Sequence, residues 1–487
     1  MKIYGQYAHR KRFPPGPRNW PLIGSVFSIT GANPKTFADW SKKYGPVIGI
    51  HMGSSPTVLL NDWPSIKDAL LQDTTLDRPV DNLFASVAPK GISSMNGQEY
   101  RDQKKFLSLW FKKIKSKGKP LLEDLIIDEI QQLFHTIDKI ITIDFEIPVR
   151  SLFGLSLFNI GSKFLLGQRF DYTNIEMLKL IDNFFATNPN LALNSIFGQF
   201  PNVNKFLIKY FNFLLQKSAN GQANIDICTI IKNEITSHEK TLDTNKNDNN
   251  YNHYMDTYIR ESRKQNIKIE SSVSSGTLDN SLVGIIFDLY GGQVLSMINP
   301  IEWSLVLLAT YPDVQQKVYR EIVSILGTNG RPMYEQRNQL PYVQAFIYEV
   351  MRFRSITPLN LQRMATADTI IGGQFVPKGT HILINFWSVS NDPNLWDEPN
   401  RFRPERFLID GETKFVKPEY LIPFSFGKRT CPGEVSALMQ LFFYTILLIQ
   451  KYEIKATKNT DTTLDYEFQL SVAPKREPVV GFVKRYD

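Results

Sequence analysis

Cysteine is almost missing from this chain: Cys228 and Cys431 are the only two in 487 residues. Two thiols allow one disulfide at most, which excludes a disulfide-built framework. No CxxC pair occurs, and no Cys–His cluster, so a structural zinc module is excluded as well. Such usage suits a reducing compartment. Long apolar runs are also lacking. The longest, LMQLFFYTILLI (438–449), is interrupted by Gln440 and Thr445. It falls short of the roughly 20 residues a bilayer span needs and reads as a buried core helix. The opening MKIYGQYAHRKRF is basic but carries no apolar signal-peptide core. A Gly-rich phosphate loop and a regular βαβ alternation are both missing, which argues against a nucleotide-binding domain within the chain. Charge of one sign is not in excess. With 56 Lys+Arg against 48 Asp+Glu, the net charge of +8 is modest: it fits attraction to an acidic partner or an anionic membrane surface, and fits a mildly basic soluble enzyme better, with no nucleic acid expected as partner.

Hydrophobic residues make up 42% of the chain, enough for a sizeable core. FPPGPRNWPLIGS (13–25) is a stiff entry segment that its apolar residues can pin to the body. YGPVIGIHMGSSPTVLL (44–60) predicts two short strands around a GSS turn. Residues 62–240 read mostly as helices, and TNKNDNNYN (244–252) as an exposed loop. Strongly helical sequence spans 279–327, interrupted only by Gly291, Gly292 and Pro300, and an amphipathic helix covers 341–354. Short strands follow near 369–385, with turns at Gly372–Gly373 and Lys378–Gly379. A proline-punctuated meander, NDPNLWDEPNRFRPERF, runs from 391 to 407.

Cys431 lies in FSFGKRTCPG (424–433), a loop of turn formers. A buried small hydrophobe is the ordinary fate of a lone cysteine, but this segment is not an apolar one. A nucleophilic cysteine wants a histidine base, and none of the six histidines lies within about 30 residues. An axial thiolate to haem iron fits the sequence better. Gly427 and Gly433 leave room for a flat macrocycle. The helix that starts after Pro432 aims N–H groups and positive dipole at the sulfur. Arg429 offers a bidentate fork to a propionate, and Phe424 can shield the iron–sulfur bond.

This decapeptide resembles the haem-binding signature of the cytochrome P-450 family, with Phe424, Gly427, Arg429, Cys431 and Gly433 in its five fixed places. The likeness extends along the chain. Glu349 and Arg352 in YEVMR, with Arg406 in PERF, resemble the family's structural charge triad behind the haem. Arg363 falls where a propionate-binding basic residue is usual. Tyr100 and Lys104 stand where the family carries Trp and Arg on the propionates. The proline-rich entry resembles the family's hinge. The resemblance implies a mainly α fold with small β-sheets and a haem b, held through a cysteine thiolate, between a long central helix and the cysteine loop. It implies a basic N-terminal segment over 1–12 and one catalytic domain over 13–487.

The central helix departs from the family pattern. There the family usually carries Ala/Gly-Gly-x-Asp/Glu-Thr, an acid and an alcohol that deliver protons to dioxygen. Here the stretch reads GQVLS: Gly292 keeps the small residue, Gln293 replaces the second glycine, Leu295 the acid and Ser296 the threonine. Pro300 cannot donate to the Ser296 carbonyl, which predicts a kink or opening. The freed carbonyl and the Ser296 hydroxyl would then hold a water in place of the acid. Gln293 either joins them or faces the core.

The resemblance implies a monooxygenase that takes dioxygen, a small apolar substrate and electrons from an external NADPH-dependent reductase or other donor. Lys428 and Arg429 would lend a basic surface to that partner. Loss of the acid keeps two alternatives open: a reductase-independent peroxide isomerase or dehydratase, and a haem-binding protein without turnover. Segments 80–92, 184–212 and 284–296 are expected to line the pocket. HRKRFPPGP resembles the stretch that follows a microsomal anchor, although no anchor is found. A cytoplasm-facing, peripheral place on the endoplasmic reticulum membrane follows as an expectation, with contact through apolar helices near 184–215.

Overall fold

The computed structural model describes residues 13–20, 23–29, 31–53, 55–79, 89–116, 121–142, 145–185, 219–244, 253–264, 281–468 and 471–486. Several sequence expectations fall outside these residues: segment 1–12, the 245–252 part of the polar loop, and most of the 80–92 and 184–212 pocket segments.

Local chemistry sets the helix ends. Asn33 caps the Pro34–Tyr44 helix by accepting the Lys35 and Thr36 N–H groups at 3.0 and 3.1 Å. Asp62 does the same for Trp63–Leu71, and proline opens both helices, where its missing N–H costs nothing. Strands β1 (Val47–Met52) and β2 (Ser55–Leu60) form the expected hairpin, in register from Val47↔Leu60 to Met52↔Ser55. The proline-rich entry lies against β1. The Gly49 N–H donates to the Pro15 carbonyl at 2.9 Å, and the backbones approach so closely that a Cβ on Gly16 would sit 1.8 Å from the Gly49 oxygen.

Two helices form the centre. Helix α1 (Val149–Leu165) is buried on nearly all sides. It packs along α2 (Ser281–Thr310), a 30-residue helix with Pro300 in its interior. Glu302 of α2 is fully buried, and Arg150 grips it through Nε and Nη2 at 2.8 and 3.1 Å. Among the described residues, Leu282–Thr310 is the one helix long and apolar enough to cross a membrane. Here Val283, Ile285, Ile286, Leu305 and Leu307 are buried inside the protein. The helix runs through Pro300, where sequence expects a kink or opening, and continues to Thr310.

Helix α3 (Pro341–Phe353) presents the charge triad. Arg352 Nε and Nη2 meet the two Glu349 oxygens at 2.7 and 2.8 Å, and both side chains are wholly buried. Arg406 Nε reaches Glu349 at 3.1 Å. Arg352 and Arg406 also donate to the carbonyls of Ser390, Asp397, Glu398, Pro399 and Arg401, so the meander's backbone is fastened to α3 through two guanidiniums.

After α3, β3 (Arg363–Met364) pairs antiparallel with β4 (His381–Ile384). The predicted strands near 369–385 divide. Thr369–Ile371 and Gln374–Val376 make their own hairpin, whereas β4 runs parallel to β2, giving the sheet order β1-β2-β4-β3. Helix α4 (Glu434–Lys451) follows the cysteine loop, and the 438–449 run is a buried core helix, as its composition requires.

Removing one partner of the triad leaves an unpaired buried charge. Arg352→Met is expected to cost on the order of 3–5 kcal/mol. Chemical denaturation should show that loss, or the variant should accumulate poorly. A near-neutral effect would mean that the meander is held by other contacts.

Candidate active site at the cysteine loop

The loop leaves Phe424 in a tight path. Ser425 and Gly427 take positive φ values of 66° and 76°. A Cβ on Gly427 would sit 2.3 Å from the Leu70 carbonyl oxygen, so only glycine fits. Gly427–Arg429 make a 3-10 turn, and the Cys431 N–H donates to the Phe424 carbonyl at 2.9 Å. Gly433 caps α4, and the N–H groups of Gly433 and Glu434 point at the thiol. Cys431 is reachable from one side, while the protein packed around it pushes the thiol pKa up. Those two N–H groups and Lys104 oppose that rise. The arrangement suits a sulfur that completes its stabilisation by binding a cation.

Beside the loop lies a concentration of buried positive charge. Arg363, on β3, is 1% exposed; its Nη2 donates to Ser425 Oγ at 3.3 Å, while Nε and Nη1 are buried without partners. Arg78 donates to the carbonyls of Leu361 and Gln362, and its Nε is also orphaned. Arg429 stacks 3.3 Å over the Tyr100 ring and donates to Leu76 O, Met95 O and Asn96 Oδ1. Burial lowers all three pKa values, and mutual repulsion adds to the effect at Arg78 and Arg363: Arg78 falls to about 9 and Arg363 to about 10. Among the described residues, no carboxylate pairs with any of them. A pair of carboxylates from a bound group would satisfy the orphaned N–H groups and the charge together.

Three expectations change in detail. Arg429 was expected to present its fork, but Nε and Nη2 are committed to the protein, which leaves the Nη1 edge. Tyr100 and Lys104, on the Gly97–Ser116 helix, both donate to the Lys428 carbonyl, the tyrosine at 3.1 Å. Burial raises the tyrosine pKa and lowers that of the lysine. Lys428 is exposed and pairs with Asp73 at 2.6 Å, whereas Arg429 is buried and adds nothing to a basic surface.

On α2, Gly292 is exposed, Leu295 and Ser296 are half-buried, and a Cβ on Gly292 would meet nothing within 4 Å. The Ser296 hydroxyl donates to the Gly292 carbonyl one turn back. It is therefore engaged within its own helix. Gln293 faces the core: its Nε2 donates to the Leu157 carbonyl of α1 at 2.9 Å. Two turns before Ser296, the Asp288 carboxylate accepts the Ser93 N–H at 2.7 Å, tying the loop before the Gly97–Ser116 helix to α2. Burial raises the Asp288 pKa to about 6.

Comparison with known proteins agrees with this geometry. The family description "Cytochrome P450" matches residues 14–480. The chain belongs to the cytochrome P450 family. It is 30% identical to mouse cytochrome P450 2D9 over 456 residues, covering 91% of this chain and 86% of that protein. Rat cytochrome P450 2J3 is also 30% identical, over 95% of this chain and 90% of its own length. Human cytochrome P450 2U1 is 31% identical, over 95% of this chain and 87% of its own. The protein is a haem-thiolate monooxygenase of mainly α fold with small sheets, and its cofactor is haem b bound through a cysteine thiolate. Bound there, the haem supplies oxygen activation, which the thiolate promotes.

Sequence reading missed Arg78. Nothing in LDRPV marks it, since its guanidinium's partners are the carbonyls of Leu361 and Gln362, far along the chain.

Two outcomes follow. Arg363→Met should weaken haem retention at least tenfold while raising the melting temperature of the apoprotein, because one of three repelling buried cations is gone. Haem titration and calorimetry read both effects, and a lowered apoprotein melting temperature would contradict the charge argument. For Asp288, the folded pKa of about 6 lies above the ordinary 3.8. Its contribution is therefore fully present below about pH 4 and lost as pH rises through about 6. Asp288→Asn should melt higher than the parent at neutral pH, with the gap closing as pH falls from about 6 to about 4.

Proposed function

We propose that Cys431 is the axial ligand to the haem iron and that Arg78, Arg363 and Arg429 hold the propionates, with Tyr100 and Lys104 bracing the loop through the Lys428 carbonyl. The observation that carries this reading is the group of three buried guanidiniums, without carboxylate partners among the described residues, beside a cysteine whose sulfur faces two helix-start N–H groups. Phe424 accepts the Cys431 N–H and fixes the sulfur's direction. Gly427 and Gly433 keep the loop narrow.

The substrate is a small apolar molecule that reaches the cofactor past Gly292, where the missing side chain leaves open space on α2. Electrons come from a separate reductase. Proton delivery falls to Ser296. Its hydroxyl donates to the Gly292 carbonyl and keeps its lone pairs for a water, so it can accept a proton from solvent and pass its own on as the hydroxyl turns. Leu295 takes no part. Glu349, Arg352 and Arg406 stay outside the chemistry and hold the meander behind the loop. Peripheral association with the endoplasmic reticulum membrane is part of the same proposal and rests on the microsomal character of HRKRFPPGP.

A carbon monoxide difference spectrum of the reduced protein tests the ligand. The parent should show the thiolate signature, and Cys431→His should keep haem but lose that signature. A signature retained in the variant would remove Cys431 from the iron. Turnover should require a reductase, and Ser296→Ala should lower the coupling of electron consumption to product several-fold. Turnover of an organic peroxide at full rate without reductase would instead favour the isomerase reading, which the absence of an acid at Leu295 would then explain.

A further inference from the structure

A fourth buried arginine pairs with no carboxylate among the described residues, and it lies apart from the cysteine loop. Arg354 follows α3 directly and is only 9% exposed. It lines a cavity of about 320 Å³ between the end of α3, the Phe386–Ser390 helix and the 463–466 segment. None of Arg78, Tyr100, Lys104, Arg363, Arg429 or Cys431 lines this cavity.

The guanidinium is enclosed by aromatic faces: Phe353 at 3.9 Å, Trp303 at 4.7 Å and Tyr466 at 4.9 Å from the ring centroids. Its Nη1 donates to the Phe353 carbonyl at 3.1 Å and its Nη2 to the Leu464 carbonyl at 2.9 Å. Nε is buried without a partner. Each Nη carries a second N–H, so the planar group keeps donor capacity beyond these bonds. Among the described residues, no carboxylate pairs with it. Asp465 lines the same cavity, but its carboxylate is exposed and turned toward Lys475 at 3.9 Å. Burial lowers the Arg354 pKa to about 10, with only the Tyr466 and Tyr311 rings opposing.

The rim is already organised. Thr463 donates to Asp461 at 2.6 Å, and the Asp465 N–H returns to the Thr463 hydroxyl at 3.3 Å. Leu464 sits at φ 58°, a conformation a branched residue seldom adopts, and its carbonyl is the one that Arg354 holds. A role as a simple prop for this turn accounts for the Nη2 bond alone. It explains neither the cavity nor the absence of an acid.

We propose that this cavity binds a small polar organic acid. Its carboxylate would meet Arg354, and its hydroxyl or carbonyl groups would meet Asn391, Asn400 and Thr463, which line the same space. The Asn391 amide N–H₂ donates to the Trp387 carbonyl at 2.9 Å, which leaves its oxygen to accept from a ligand hydroxyl. A bare inorganic anion would fill only a small part of the volume; a water molecule's share of liquid is about 30 Å³. Trp387 and Val472 supply the apolar wall.

Calorimetric titration of the haem-loaded protein with citrate, with succinate and with inorganic phosphate, at constant ionic strength set by chloride, tests the assignment. Saturable binding of citrate or succinate at one site per chain is expected, weakened at least tenfold in Arg354→Met, whose unbranched stem keeps the aromatic packing. Asn391→Ala and Asn400→Ala should each weaken it about threefold, and these two variants carry the test if Arg354→Met does not fold. Saturable binding of phosphate alone would overturn the organic-acid assignment. No saturable binding, or binding unchanged in every variant, would overturn the site itself. The haem spectrum should stay that of the parent throughout, which separates this result from any failure at Cys431.

Discussion

Three guanidiniums buried side by side repel one another, and this repulsion is the constraint on which the proposed haem site rests. Arg78, Arg363 and Arg429 come from separate parts of the chain, and each is fixed by hydrogen bonds to backbone carbonyls or a serine hydroxyl. Carbonyls neutralise no net charge. The protein therefore folds around a local excess of positive charge that an anionic group must complete. The cysteine loop adds a sulfur whose thiolate form also waits for a cation. A cofactor with carboxylates at its edge and a metal at its centre answers both demands at once.

The triad on α3 solves the opposite problem with the same residue type. Every nitrogen of Arg352 has a partner, and Glu349 cancels its charge. Arg363, equally buried, leaves Nε and Nη1 unmatched. Burial alone does not separate structural arginines from ligand-directed ones. The separation comes from whether the N–H groups and the charge are both satisfied within the chain. Arg354 falls between the two, with aromatic faces in place of a carboxylate.

FSFGKRTCPG was legible because its chemistry is contiguous: turn formers, an arginine, the cysteine and a helix start within one loop. Glu349 and Arg352 were legible for the same reason, being one helical turn apart. Arg78 was not, because its role exists only once residues near 96, 361 and 429 gather round it. The α2 stretch was half legible. Replacement of the acid by Leu295 is plain in the sequence, but where the Gln293 side chain points is decided by α1, which offers the Leu157 carbonyl. Pro300 marks a local disruption in the sequence, and the burial of α2 on both sides of that point keeps the helix continuous through it. The β4 strand was expected in place but not in partnership, since a parallel pairing with β2 leaves no local mark.

That pairing has a consequence for how the chain is made. β2 ends at Leu60, and its neighbour β4 does not begin until His381. The hairpin of β1 and β2 must therefore pass through most of synthesis with one long edge unpaired. Closing so long a loop is slow, and exposed edges associate with other chains meanwhile. The sheet closes only when β4 arrives, and β4 brings its neighbour β3, which carries Arg363. Completion of the sheet and arrival of a principal buried cation are thus one late event. On the proposed assignment, haem supplied at that moment brings the counter-charge just as the nascent protein first needs it.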